Sequence, residues 1–222
     1  MDWHSILYSL PGILVGLVAH EYCHALAADK LGDHTAREMG RLSFNPLKHI
    51  DPVGALFIIF AGFGWARPVQ FNPENLSRPR RDKAIIAAAG PLSNLLLAFG
   101  FIALVKGWLV LPGYLKSANT GVQFLPLMYS GPFLVVITGI FRAAAINLGL
   151  FVFNLFPIPP LDGSHIVFSG LNLKKETELM IMKIGGPLLF IIIIIQNRSG
   201  VTILPIGRLV SAILYFFLPE LR

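Results

Sequence analysis

Long apolar stretches dominate this sequence and restrict the chain to folds that a lipid bilayer can surround. A membrane-spanning helix needs roughly 20 mostly apolar residues. The stretches that meet this length are Ile6–Ala28, Ala84–Val105, Leu125–Phe156, Leu179–Gln196 and Val201–Leu218. A further apolar run, Val53–Ala66, is short and rich in glycine. We expect it to enter the membrane and return to the same side, as a re-entrant hairpin sheltered by protein or water.

The composition agrees with a membrane protein. Hydrophobic residues make up 55% of the 222 residues and charged residues 14%, whereas soluble domains carry about 25% charged residues. A soluble chain of this size could not bury so many apolar side chains, because its surface is too large for its volume. The net charge of +6 is then typical of cytoplasmic loops and anionic headgroups. No nucleic-acid-binding motif accompanies it, so we expect no nucleic acid partner.

The basic residues predict how the chain is oriented. Twelve of the 18 Lys and Arg residues fall on one side if the first helix runs inward and Val53–Ala66 returns, and three fall on the other side. This asymmetry places the segment Asp29–Lys83 in the cytoplasm. It would disappear if Val53–Ala66 crossed the membrane. Within the segment, Thr35–Ser43 and Gly64–Phe71 contain β-compatible runs between Gly, Pro and Asn, which predict a small sheet.

The predicted architecture follows from these patterns. We expect an all-α polytopic membrane protein with about five to six transmembrane helices. A re-entrant hairpin and a small β-sheet on the cytoplasmic side would occupy residues 35–72 or so. The sequence shows no internal repeat and no appended soluble domain, so we expect residues 1–222 to form a single domain.

The first apolar stretch carries His20, Glu21 and His24 in the pattern HExxH. On a helix the two histidines share a face one turn apart, so both could reach one metal ion at roughly 2.0–2.1 Å. Glu21 points to a neighbouring face, where a carboxylate can take a proton from activated water. The alternative is a group of polar residues at a helix end, but such groups are costly in a membrane unless function retains them.

A third metal ligand is predicted in the segment from Asn154 to Gly163. Three prolines at positions 157, 159 and 160 prevent a continuing helix, so Asp162 follows a long apolar helix on irregular backbone. By itself Asp162 is equally consistent with an interfacial turn. Together with His20 and His24 it completes the three protein ligands of a catalytic zinc. His165 is interpreted as a turn residue or as a partner of the ligands.

Further sequence blocks accompany these residues and resemble the site-2 protease family of intramembrane zinc metalloproteases. The likeness covers most of the chain and is greatest to small bacterial and archaeal members without PDZ or CBS domains. The HExxH helix and the Asn154–Gly163 element both belong to it. The other matching blocks are Gly32–Ala36, Gly40–Pro52, Gly64–Val69 and Ala89–Asn94.

The resemblance implies proteolysis inside the membrane. By it, His20, His24 and Asp162 ligate one zinc ion, Glu21 is the catalytic base, and Asn154 holds the substrate carbonyl or the oxyanion. The region around Gly64–Phe71 would pair with an unwound substrate strand. The substrate would be a single-pass transmembrane protein, cleaved in a prokaryotic inner membrane by a site that faces the cytoplasm. The oligomeric state is not fixed by the sequence.

Three further residues are candidates for substrate contact: Asn94, Trp65 and Gly64. Asn94 is either a donor to the oxyanion or a polar residue that packs helices together. Trp65 is either a wall of the substrate groove or an interfacial anchor.

Two other functions are considered: a zinc-binding membrane scaffold without proteolytic activity, and a transporter. A transporter predicts paired or inverted halves, which the sequence lacks.

Overall fold

The structure is a computed structural model, and it describes residues 3–61, 65–118, 125–171 and 173–221. Its described part is helical, with nine α-helices and short 3-10 turns at Pro46–Lys48, Pro73–Asn75 and Pro219–Leu221. The helices are α1 (Trp3–Lys30), α2 (Thr35–Glu38), α3 (Pro52–Ala61), α4 (Pro79–Ser117), α5 (Leu125–Met128), α6 (Gly131–Asn154), α7 (Asp162–Gly170), α8 (Lys175–Ser199) and α9 (Ile206–Phe217).

Four of these helices are long and apolar enough to cross a membrane: α1 from Leu7, α4, α6 and α8. The protein is therefore a multi-pass membrane protein. The predicted count of five to six spans is too high for the described residues. The reason lies in α9, which has only 12 residues and would rise about 18 Å against a hydrocarbon core of about 30 Å.

The predicted small β-sheet is absent from the described residues. They contain a single antiparallel bridge, between Ile50 and Ala66. Part of Thr35–Ser43, expected to be extended, instead forms the four-residue helix α2. The carboxylate of Asp33 accepts the N–H of Thr35 at 3.3 Å, and such a local hydrogen bond starts a helical turn in competition with a strand.

The apolar run at 53–66 returns to the place where it begins. Ile50 bridges to Ala66, and the N–H of Arg67 donates to the carbonyl of His49 at 2.7 Å. A Cβ atom on Gly54 would lie 2.1 Å from the carbonyl oxygen of Trp65, so only glycine permits this approach. The return agrees with a hairpin. Insertion of the hairpin into the membrane stays a prediction.

The chain forms two compact units, and the first comprises Met1–Gly16, Asn94–Leu150 and Ile206–Arg222. Its apolar core is built from α4, α6 and α9, with Ala98, Leu148 and Leu218 fully buried. Asn94 and Asn147, also fully buried, form a polar contact inside this unit.

The second unit comprises Leu17–Ser93 and Phe151–Pro205. A small apolar cluster of Ala28, Leu76 and Ile86 joins α1 to α4. Buried Asp33, just after α1, accepts hydrogen bonds from the N–H of Asn72 and the Nδ2 of Asn75, both at 2.8 Å. These contacts hold the segment after the hairpin against the end of α1, in the unit that also contains the HExxH residues and Asp162.

Candidate metal centre

Three predicted ligands from two helices meet in the second unit. The Nε2 atoms of His20 and His24, on α1, are 3.0 Å apart. Asp162, the first residue of α7, places Oδ2 at 3.1 Å from His20 Nε2 and Oδ1 at 3.4 Å from His24 Nε2. A tetrahedral zinc with bonds of about 2.0–2.1 Å separates its ligand atoms by roughly 3.3 Å. The three side chains therefore have the spacing of a zinc site.

The donor chemistry of this group also suits a cation. The Nδ1 of His24 lies 2.7 Å from the carbonyl oxygen of Ile86 and donates to it. In the neutral imidazole, Nε2 of His24 then carries the lone pair and faces the carboxylate of Asp162, and these two acceptors repel unless a proton or a metal ion lies between them. Oδ2 of Asp162 is buried and makes no hydrogen bond of good geometry within the described residues. Two imidazoles and one carboxylate fit zinc.

A carboxylate must be ionised to bind a metal ion, and the surroundings of Asp162 favour that form. Burial raises the pKa of its carboxyl group, but the nearby imidazoles of His20 and His24 outweigh burial and hold that pKa well below its ordinary value. His165 lies on α7 one turn after Asp162 and is half-buried. Burial lowers the pKa of His165. It is thus a helix residue near the ligands, rather than the turn residue considered above.

Helix α4 approaches the side chains of His20 and His24 closely at Gly90. A Cβ atom on Gly90 would lie 2.3 Å from Nε2 of His24 and 2.7 Å from Cε1 of His20. No larger residue fits there without moving a ligand. With the carbonyl of Ile86 one turn earlier, α4 both orients His24 and admits the two imidazoles.

Glu21 is buried beside the histidines, with an exposed fraction of 7%. Its Oε2 accepts a hydrogen bond from the N–H of Val69 at 3.1 Å. Val69 follows the bridge of Ile50 and Ala66 by three residues, so the returning hairpin holds the carboxylate of Glu21.

The loop from Asn154 to Asp162 is closely supported. Asn154 ends α6 and is half-buried. A Cβ atom on Gly163 would lie 2.3 Å from the carbonyl oxygen of Leu155, and one on Gly185 of α8 would lie 2.5 Å from Cβ of Pro159. Two close glycine contacts therefore define where the loop delivers Asp162. A role for Asn154 at the metal stays a prediction.

Of the three predicted substrate contacts, Asn94 has a different environment from the one expected of an oxyanion donor. Its Nδ2 donates to the carbonyl of Gly16 and to Oδ1 of Asn147, both at 3.0 Å. Both amide hydrogens are used within the first unit, which supports the helix-packing alternative. Trp65 is 42% exposed and lies 5.1 Å from the ring of Phe57, so both of its alternatives stay open. Gly64 lies outside the described residues.

Several residues of the site were not found by sequence reasoning: Ile86, Val69, Gly90 and Gly185. Ile86 and Val69 act through backbone atoms, which any residue type would supply, so no sequence signal marks them. Gly90 and Gly185 carried a weak signal, because each is a glycine in an apolar helix within two residues of a proline, a pattern typical of close helix packing.

Fold and site together define a multi-pass helical membrane protein with a centre of two histidines and one carboxylate. Residues 8–193 match Peptidase family M50, the site-2 protease family, and the chain belongs to this family. Zinc is the metal of the family's proteases, and His20, His24 and Asp162 could hold it.

Similar proteins occur in several bacteria, and each is named "Putative zinc metalloprotease". YwhC of Bacillus subtilis is 41% identical over 162 residues, which are 72% of this chain and 67% of its own length. Rip2 of Mycolicibacterium smegmatis is 28% identical over 191 residues, 84% of this chain and 66% of its own length. Rip2 of Mycobacterium tuberculosis is 30% identical over 175 residues, which are 76% of this chain and 58% of its own length.

This chain thus spans about two thirds of the length of the first two relatives. No solved structure matches it. The family and these names support a zinc metalloprotease.

Proposed function

We propose that this protein is an intramembrane zinc metalloendopeptidase that cleaves transmembrane segments of single-pass membrane proteins, with residues 1–222 acting as one protease domain. One observation carries the proposal. His20, His24 and Asp162 place their ligand atoms 3.0–3.4 Å apart, and Glu21, whose carboxylate is buried, lies next to the two histidines on α1. Family membership supports the same chemistry.

His20, His24 and Asp162 would hold one zinc ion per chain. When bound, zinc supplies a Lewis acid that polarises a carbonyl and lowers the pKa of water toward about 7. Glu21 accepts the proton of the attacking water and returns it to the leaving amine. The N–H of Val69 keeps this carboxylate in position for both transfers. Asn154, eight residues before Asp162, is assigned to the substrate carbonyl and to the developing oxyanion.

The substrate must unwind before it is cut, because a helical peptide bond is shielded by its own hydrogen bonds. Within the segment 65–69, Ala66 forms a β-bridge with Ile50, and the N–H of Val69 donates to the carboxylate of Glu21. A freed substrate strand would pair with its outer edge. Trp65 and Gly64 are assigned to the wall of that groove.

The location proposed is a prokaryotic inner membrane, with the site toward the cytoplasm. The excess of basic residues in 29–83 supports this orientation. The described part of that segment carries Glu21's hydrogen-bond partner Val69 and the start of α4. Water would reach the site from that side.

The test uses the full chain purified in detergent, with bound zinc measured by elemental mass spectrometry and cleavage of a transmembrane peptide followed by gel. Glu21→Gln should retain about one zinc and lose cleavage. Glu38→Gln, at an exposed position outside the site, should retain both. Cleavage by Glu21→Gln would refute the mechanism.

The same measurements separate the other two functions. Zinc in the parent protein without cleavage of any transmembrane peptide would favour the scaffold. A parent protein with neither zinc nor cleavage would contradict the metal assignment and return the transporter to consideration.

A further inference from the structure

A group of basic residues at the start of α4 is not part of the metal centre. Arg78, Arg80, Arg81 and Lys83 occupy four of six consecutive positions. Lys83 lies 3.9 Å from Glu178 of α8. The three arginines are exposed, and no ion pair is found for them among the described residues. Their charges therefore face outward from the protein.

Capping of the helix does not account for these charges. Asp82, which is 3% exposed, accepts the N–H of Arg78 at 2.8 Å and caps the first turn. The positive end of the helix dipole lies at this terminus, so cations there are unfavourable by themselves. A compensating anion outside the described residues would remove that cost.

The exposed face of α4 continues from these arginines into an apolar stripe. Ile85 is 39% exposed and Leu92 is 52% exposed. They follow Arg81 by four and eleven residues, which places all three on one helix face. The opposite face, with Ile86 and Gly90, is buried against the metal centre. In a membrane span, an exposed apolar stripe contacts lipid acyl chains, so Arg81 lies at the headgroup end of a lipid-facing stripe.

We propose that Arg78, Arg80 and Arg81 bind the headgroup phosphate of an anionic phospholipid whose acyl chains lie along Ile85 and Leu92. Guanidinium groups bind phosphate in a bidentate manner. Clusters of basic residues next to a membrane span are typical of anionic-lipid sites. An acidic peptide would satisfy the charges but would leave the apolar stripe unused, so the geometry favours a lipid. The proposal depends on α4 as a membrane span and not on proteolysis.

The test is a native mass spectrometry titration of the full chain with phosphatidylglycerol and with phosphatidylcholine of the same acyl chains. Arg80→Gln/Arg81→Gln should weaken phosphatidylglycerol binding about 30-fold, from two lost charges near the headgroups, and should leave phosphatidylcholine binding unchanged. Arg80→Lys/Arg81→Lys keeps both charges but loses the bidentate geometry of the guanidinium groups, so its affinity for phosphatidylglycerol should lie between those of the parent and the Gln variant.

The matched control is Lys174→Gln/Lys175→Gln. It removes the same two charges at the start of α8, where Glu176 and Glu178 follow, and should bind like the parent. Three outcomes would overturn the proposal: equal binding of both lipids by the parent, an equal loss in the control, or displacement of phosphatidylglycerol by an acidic peptide or inorganic phosphate at equal concentration. Bound zinc, measured in every variant, reports folding.

Discussion

The N–H of Val69 donates a hydrogen bond of 3.1 Å to Oε2 of Glu21, although the two residues are 48 positions apart. Glu21 lies inside the HExxH helix, and Val69 lies in the segment that follows the hairpin. The segment after the hairpin therefore helps to hold the proposed base, and this backbone hydrogen bond joins the proposed substrate groove to it.

Removal of this contact should impair cleavage while zinc stays bound. Val69→Pro lacks the N–H, and a hydrogen bond to a charged group contributes about 1.5–3 kcal/mol. We expect a loss of roughly 10- to 100-fold in kcat/KM, measured with a transmembrane peptide in detergent. Val69→Ala keeps the N–H and should stay within a few-fold of the parent. Equal rates for the two variants would contradict this role for the amide.

Gly90 should be essential for metal binding. A methyl group there would lie 2.3 Å from Nε2 of His24, so Gly90→Ala must displace a ligand or α4. We expect a decrease of at least tenfold in zinc affinity, the lower end of the range for disturbed metal surroundings, measured by competition with a chelator. Gly100→Ala is the control. Gly100 lies on the same helix, α4, and nothing lies within 4 Å of a Cβ atom added there. Undiminished zinc affinity in Gly90→Ala would disprove the predicted steric conflict.

Two neighbouring glycines of α8 should respond differently to the same change. A Cβ on Gly185 would lie 2.5 Å from Cβ of Pro159, whereas nothing lies within 4 Å of one on Gly186. Gly185→Ala should shift the loop that delivers Asp162, and should therefore lower zinc affinity and melting temperature. Gly186→Ala should be neutral or stabilising by up to about 1 kcal/mol, from helix propensity. The prediction fails if the two variants bind zinc equally.

Asp33 should make the stability of the protein sensitive to acid. Burial raises the pKa of its carboxyl group, but hydrogen bonds from Thr35, Asn75 and the N–H of Asn72 outweigh burial and leave that pKa below its ordinary value. A depressed pKa stabilises the fold above the unfolded pKa of about 4, and this stabilisation is lost as the pH falls through the folded value.

The variant Asp33→Asn tests whether Asp33 causes this loss of stability at low pH. It should be less stable at pH 7 by about 2 kcal/mol, because hydrogen bonds to a charged acceptor are lost, and its stability should depend less on pH between 3 and 5. Thermal unfolding in detergent from pH 3 to 7 measures both effects. Glu38→Gln, at an exposed position, is the control. Parallel pH profiles for Asp33→Asn and the parent would exclude Asp33 as the source.

Local features of the chain were predictable from the sequence. The apolar stretches predicted the four long spans, since a helix satisfies its own backbone and needs only a run of apolar residues in lipid. The spacing of His20 and His24 fixed their shared face, because helical geometry is set within one turn. The choice of Asp162 as third ligand followed from its carboxylate chemistry and from the proline-rich segment that precedes it.

Features that depend on packing were not predictable. The β-compatible residues near Thr35 formed a helical turn, because Asp33 supplied a local hydrogen bond and no strand in the described residues paired with them. The partners of Asn94, Gly16 and Asn147, could be known only from the structure, and they favour a packing role while contact with substrate stays a prediction.

The sequence by itself determined which atoms could bind a metal: two imidazoles one turn apart and a carboxylate after a proline-rich turn. Only the tertiary structure decided that they meet within 3.0–3.4 Å, that Gly90 admits them and that Val69 holds Glu21. The physical reason is that ligand identity and helical spacing are local properties of the chain, whereas contact between residues far apart in it depends on how the helices and loops pack.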